Sequence, residues 1–161
     1  MKRMIIFFGM LLIVSMNVLQ AQEKDARIER QLTNMNLQFD ITPSGNFKLL
    51  FELDNSRTQI VFINSTTKMH EDAEVREISS PAKLIKNTTE LSNEQLWMFL
   101  TENYNSTLGA WQMEPSPDGW ALHYTVKVPS LMPENRLMMY MILVAKTADD
   151  MEKKFSKDDT L

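Results

Sequence analysis

The sequence predicts a single α+β domain, an antiparallel sheet packed by helices, in the order α-β-β-β-α-β-β-α. Three observations carry that prediction. Phe47, Leu49, Phe51 and Leu53 fall on one side of an extended segment whose other side carries Lys48 and Glu52, the period of two that a half-buried strand requires. Ser92 and Gln95 have capping-box spacing, with Leu91 and Leu96 at the positions of a hydrophobic staple, which is how a helix start is written. Leu137, Met141, Val144, Ala148, Met151 and Phe155 keep one helical face over about five turns.

The other elements follow in chain order. Ile28, Leu32 and Met35 sit at helical spacing among charges and predict an amphipathic first helix. Leu37, Phe39 and Ile41 alternate as a short strand or extended lead-in, and Thr42 to Asn46 is turn chemistry around Pro43 and Gly45. After the strand that begins at Phe47, a second is expected over Thr58 to Asn64. Ile60 and Phe62 alternate there with Val61 and Ile63, so both faces are apolar, as in an interior strand covered on both sides. A polar loop from Ser65 to Asp72 should lead to a third strand around Glu74 to Ser79, stopped by Pro81. In the second helix Leu96, Phe99 and Leu100 form the expected core stripe, with Trp97 and Tyr104 along its edge. A strand from about Leu108 to Met113, a turn from Pro115 to Gly119 and a strand over Trp120 to Val128 come next. Trp120, Leu122, Tyr124, Val126 and Val128 take one face of that strand, and His123, Thr125 and Lys127 the other. Pro129 closes it, and Pro133 suits the first turn of the last helix.

The chain opens with Lys2 and Arg3, an apolar run over Met4 to Val14 and tolerated cleavage residues at Leu19-Gln20-Ala21. This is the layout of a secretory signal cut after Ala21; as a retained anchor the run is short of the roughly 20 residues a spanning helix needs. Residues 1–21 are thus read as a signal peptide, 22–155 as the domain and 156–161 as a disordered tail. Export from a bacterium, to the periplasm or beyond, is the expected location, with no stable membrane insertion after cleavage. Loss of Lys2 and Arg3 takes the formal charge from −4 to −6, which disfavours nucleic acid and anionic lipid. With no cysteine, disulfides, thiolate nucleophiles and cysteine metal sites are all excluded. On a bacterial route the Asn-x-Ser/Thr triplets at Asn64, Asn87 and Asn105 are chance matches.

No enzyme constellation emerges, and neither a cofactor nor a metal is expected. Gly45, Gly109 and Gly119 serve turns and a strand start, which leaves no phosphate-cradling loop. His70, Glu71, Asp72 and Glu74 are adjacent in a polar loop and read as solvated rather than metal-binding. His123 reads as a surface histidine beside Lys127, not a general base. Arg57 either pairs with Asp54 in its turn or offers a charge-assisted contact to a partner carboxylate.

Four segments resemble one family: Gly45-Asn46-Phe47, Arg57-Thr58-Gln59-Ile60-Val61-Phe62-Ile63, Glu77-Ile78-Ser79-Ser80-Pro81 and Ala148-Asp149-Asp150-Met151-Glu152. By their order and spacing the chain resembles the YbjN-like proteins over about residues 37–154. That resemblance implies the fold of type III secretion chaperones and a non-enzymatic module, a regulator of sensory transduction or a holder of partner segments. The family supplies no agreed catalytic or ligand residues to carry over.

The last helix has unlike halves. From Leu137 to Ala145 only the hydroxyl of Tyr140 is polar, so Met138, Met139, Ile142 and Leu143 circle the side normally given to water. Either the second helix or the loop Pro81 to Leu91, with Leu84 and Ile85, covers that side, or the side is a contact surface. Methionines suit surfaces that accept varied sequences, and Met98 is a possible satellite. The expected function is recognition of a protein or peptide partner, or of a second copy, through this apolar surface. The alternative is a small-molecule sensor with a ligand between helices and sheet, lined by Phe51, Trp120 or Tyr124.

Overall fold

The computed structural model describes residues 23–53 and 56–156. The expected signal segment with Ala21, the turn residue Asp54 and the tail from residue 157 lie outside the described residues. The elements are α1 (Ala26–Asn34), β1 (Asp40–Ile41), β2 (Phe47–Glu52), β3 (Thr58–His70), β4 (Ala73–Ile85), α2 (Asn93–Asn105), β5 (Ala110–Ser116), β6 (Gly119–Pro129) and α3 (Glu134–Phe155). They form one α+β domain in the predicted order, with β1 as the short lead-in. The six strands make one antiparallel sheet in the order β1-β2-β3-β4-β6-β5. Among the described residues, no helix is long and apolar enough to cross a membrane.

The helix starts follow from their caps. Asp25 accepts the Arg27 N–H at 2.8 Å. The capping box of α2 is made, with Gln95 N–H donating to Ser92 Oγ at 3.2 Å and Ser92 N–H to Gln95 Oε1 at 2.8 Å. Two expectations about β-structure are corrected. Ser65 to His70 is not a loop: it continues β3, and the turn falls at Glu71 and Asp72, where Glu71 takes a positive φ of 54°. Ladder pairs with β4 run from Thr67 to His70, and Ser65 N–H donates to Asn46 Oδ1 instead. Nor does Pro81 end β4. The strand runs on to Ile85, and the register shifts between Pro81 and Lys83, a bulge that accommodates a residue without an N–H. Gln59 Nε2 donates to the Pro81 carbonyl at 3.0 Å and holds the bulge to β3.

One face of the sheet carries the core. Phe47, Leu49, Val61, Ile63, Ile78, Val126 and Val128 meet Ile28 and Leu32 of α1 and Leu137, Met141, Val144 and Ala148 of α3. Phe99 of α2 joins the same core beside Trp111 and Tyr124. The Tyr124 hydroxyl donates to the Leu108 carbonyl and lies 2.7 Å from Ser106 Oγ. Gly109 passes so close to β6 that a Cβ there would sit 2.7 Å from the Thr125 carbonyl oxygen.

Two charge clusters tie the first and last helices to the sheet. At the start of α1, Arg76 is 0 % exposed and donates to Asp25 and to the Asn64 carbonyl. Arg27 forks onto Asp25 and Glu74, reaching Glu74 at 2.8 Å, and Glu74 also accepts from Thr67 and Ser130. Burial by itself would raise the Asp25 carboxyl, but hydrogen bonds from Arg27 and Arg76 hold it well below the usual carboxylate range. Glu74 is held low as well, chiefly by Arg27 and then by Ser130 and Thr67. At the end of α3, Arg57 donates to Asp149 at 2.5 Å and to Glu152 at 2.9 Å. Lys153 lies 2.6 Å from Asp149. Arg57 thus meets carboxylates of its own chain; its expected pairing with Asp54 falls on a residue that is not described.

Candidate functional site

Because the three helices share one side of the sheet, its other side is left without a helix among the described residues. Ile60 and Phe62, expected under a second cover, instead form the floor of a groove of about 490 Å³ with Pro81, Leu84 and Ala121. The loop 42–46 and the β5–β6 arm 114–117 line it as well. The loop is fixed by its own bonds: Gly45 N–H donates to the Thr42 carbonyl at 2.8 Å and Asn46 N–H to Thr42 Oγ1 at 3.0 Å. Ser65 clasps it from β3, donating from its N–H to Asn46 Oδ1 at 3.0 Å and from its hydroxyl to the Gly45 carbonyl at 2.6 Å.

His123 corrects the reading of a surface histidine. It is 8 % exposed and lines the groove. Its strand runs between β4 and β5, where it pairs with Pro81 and Gln112. Its ring centroid lies 6.3 Å from that of Phe62. Nδ1 is buried and has no hydrogen-bond partner among the described residues. Nε2 lies 3.9 Å from Glu114 Oε2, outside hydrogen-bond range. The alternation along β6 shows which face His123 occupies; that this face is recessed depends on the distant loop 42–46 and the bent β4, which no local pattern reveals.

Burial lowers the His123 pKa from its ordinary 6.5, and the charge of Glu114 opposes that only in part. The unfolded imidazole therefore takes up a proton at a pH where the folded one stays neutral. His123 contributes stability above about pH 6.5 that is lost as pH falls toward its lowered folded pKa. We expect urea midpoints of His123→Gln to fall less than wild type between about pH 7.5 and pH 5.5. Equal falls in both proteins would show that the buried ring does not control this window.

The second helix departs furthest from expectation. Phe99 is buried, but Leu96, Trp97, Leu100 and Tyr104 are 44, 70, 60 and 88 % exposed. Apart from Phe99, the stripe read as core and its edge face outward, because α2 packs on the edge strand β5 through the side that carries Gln95, Met98, Phe99, Glu102 and Asn103. The α3 residues behave differently. Met138 and Leu143 are half-buried against the core, as is Met98 of α2. Met139 is half-buried near Arg136, and Ile142 is 39 % exposed. Leu84 lies in the groove on the far side of the sheet and Ile85 in the core, so this pair does not shield the outer side of α3.

The ligand wall expected between helices and sheet is committed to structure at Tyr124, which is buried and bonded, while Trp120 is partly exposed. Among the described residues no group of His, Asp and Glu is placed to hold a metal ion. Glu74, in the cluster read from sequence, is engaged with Arg27. No protein-family model and no curated protein matches the chain, so a functional reading has to come from the groove and from the outer face of α2.

Proposed function

We propose that the protein is a non-enzymatic binding module that recognises an apolar segment of another protein through the outer face of α2. The observation that carries this is the exposed stripe Leu96, Trp97, Leu100 and Tyr104. Contiguous apolar patches on soluble proteins mark contact sites, and Trp and Tyr are the side chains that most often dominate binding energy. Each large side chain removed from water contributes roughly 1.5–3 kcal/mol. Glu94 is exposed in the first turn of α2, which has no Lys or Arg of its own, so the matching segment is apolar with a basic flank. The YbjN-like resemblance agrees with a module of this kind, and the export signal read at residues 1–21 would put its partner in the periplasm or outside the cell. Met138, Met139, Ile142 and Leu143 on α3 would form a second contact, separate from the α2 stripe, since α2 meets α3 near Lys154 and Phe155.

Native mass spectrometry of the mature chain, purified gently from its own envelope, tests this. A protein adduct is expected, and Leu100→Asp should remove it while leaving circular dichroism unchanged, because Leu100 points outward. An adduct that survives Leu100→Asp, or wild type without any protein adduct, counts against the reading. Met139→Asp combined with Leu143→Asp then separates two roles: lost association with an intact fold adds α3 to the surface, and lost folding assigns the pair to the core.

A further inference from the structure

We propose that the groove on the helix-free sheet face binds a small organic cation, an amine with an apolar body. The site is separate from the α2 stripe, so either reading can fail alone. Its volume of about 490 Å³ falls within the range of small-molecule sites, which are mostly apolar with a few converging polar groups. Here Ile60, Phe62, Leu84 and Ala121 offer the apolar body its contact, with the Phe62 ring available to a cation.

Charge selects the rest of the ligand. Among the described residues lining the groove, Glu114 is the acidic one and none is Lys or Arg. His123, kept neutral by its burial, adds no positive charge to oppose a cation. Glu114 Oε2 and His123 Nε2, at 3.9 Å, do not satisfy each other, so both keep capacity for a third group. An ammonium supplies three donors and the complementary charge. A carboxylate ligand would meet Glu114 with its own sign. The clasped loop 42–46 keeps one side of the site in place before binding, which lowers the ordering cost.

Phenethylamine, 2-phenylethanol and phenylacetate share an aromatic body and differ in charge, and NMR titration of the full mature chain compares them. The chain has two histidines, so the His123 ring protons report on the groove with His70 as an internal control. Phenethylamine is expected to shift the His123 signals and to bind about fivefold tighter than the alcohol, the upper end for an exposed ion pair. Phenylacetate should be weakest. Glu114→Gln should bring the amine to the level of the alcohol with an unchanged spectrum elsewhere. The proposal is overturned if none of the three moves the His123 signals, if phenylacetate matches the amine, or if Glu114→Gln keeps the amine preference.

Discussion

Asp25→Ala is expected to cost about 3–5 kcal/mol of folding stability, the range for orphaning a buried charge. The substitution removes the N-cap of α1, worth about 1 kcal/mol by itself. Its larger effect is on Arg76, whose guanidinium is wholly enclosed and keeps only carbonyl partners once Asp25 is gone. If the uncompensated charge is the cause, adding Arg76→Met should restore part of the loss, because an apolar side chain of similar length needs no partner. Urea unfolding of the single and double variants decides this. A loss under about 1 kcal/mol for Asp25→Ala would mean that the Asp25–Arg76 contact is dispensable and that α1 is held by Ile28, Leu32 and the Arg27–Glu74 pair. The cluster also sets an acid limit. Asp25 and Glu74 have folded pKa values below their unfolded ones, so their contribution is complete above about pH 4.5 and is lost as pH falls further. Asp25→Ala should therefore flatten the acid side of the stability curve as well as lower it.

Arg57→Ala is expected to cost about 3 kcal/mol by the same logic at the last turns of α3. Glu152 is 1 % exposed at its side chain and Asp149 5 %, so both carboxylates would lose a buried donor together. Lys153 can still answer Asp149 but is itself 44 % exposed on the surface of α3. Arg57→Lys should fall between wild type and alanine, since an ammonium cannot fork across two acceptors on successive helical turns. A lysine variant as stable as wild type would mean that one of the two contacts is dispensable. Here too a urea midpoint is sufficient.

The order of elements was legible because each one announces itself locally: alternation at Phe47 to Leu53, the cap at Ser92, the long stripe from Leu137 to Phe155. What could not be read was which side of an element would meet another. The pattern Leu96, Phe99, Leu100 gives a helical face, but only the docking of α2 on β5 shows that Phe99 turns inward and its neighbours outward. His123 is similar. A polar residue on the polar side of a strand reads as exposed, yet its side of the sheet is recessed by loop 42–46, about eighty residues earlier in the chain, and by β4 at Pro81 and Leu84, about forty earlier. Pro81 misled for a different reason: proline is read as a stop, and a register shift lets the strand pass through it. Arg57 and Gln59, by contrast, belong to a segment that sequence singled out, and the structure gives both long-range work, on α3 and on the Pro81 carbonyl.

The two charge clusters have a consequence for how the domain opens. Terminal helices in most small proteins fray first, in sub-global steps well below the cost of complete unfolding. In this chain α1 is fastened through Asp25 to β4, and the last turns of α3 are fastened through Arg57 to the start of β3. Neither helix can peel away without breaking an ion pair to the sheet and uncovering a buried arginine. In a cysteine-free chain these ion pairs fasten helices as a disulfide could, and the Asp25 tie opens in acid rather than under reduction.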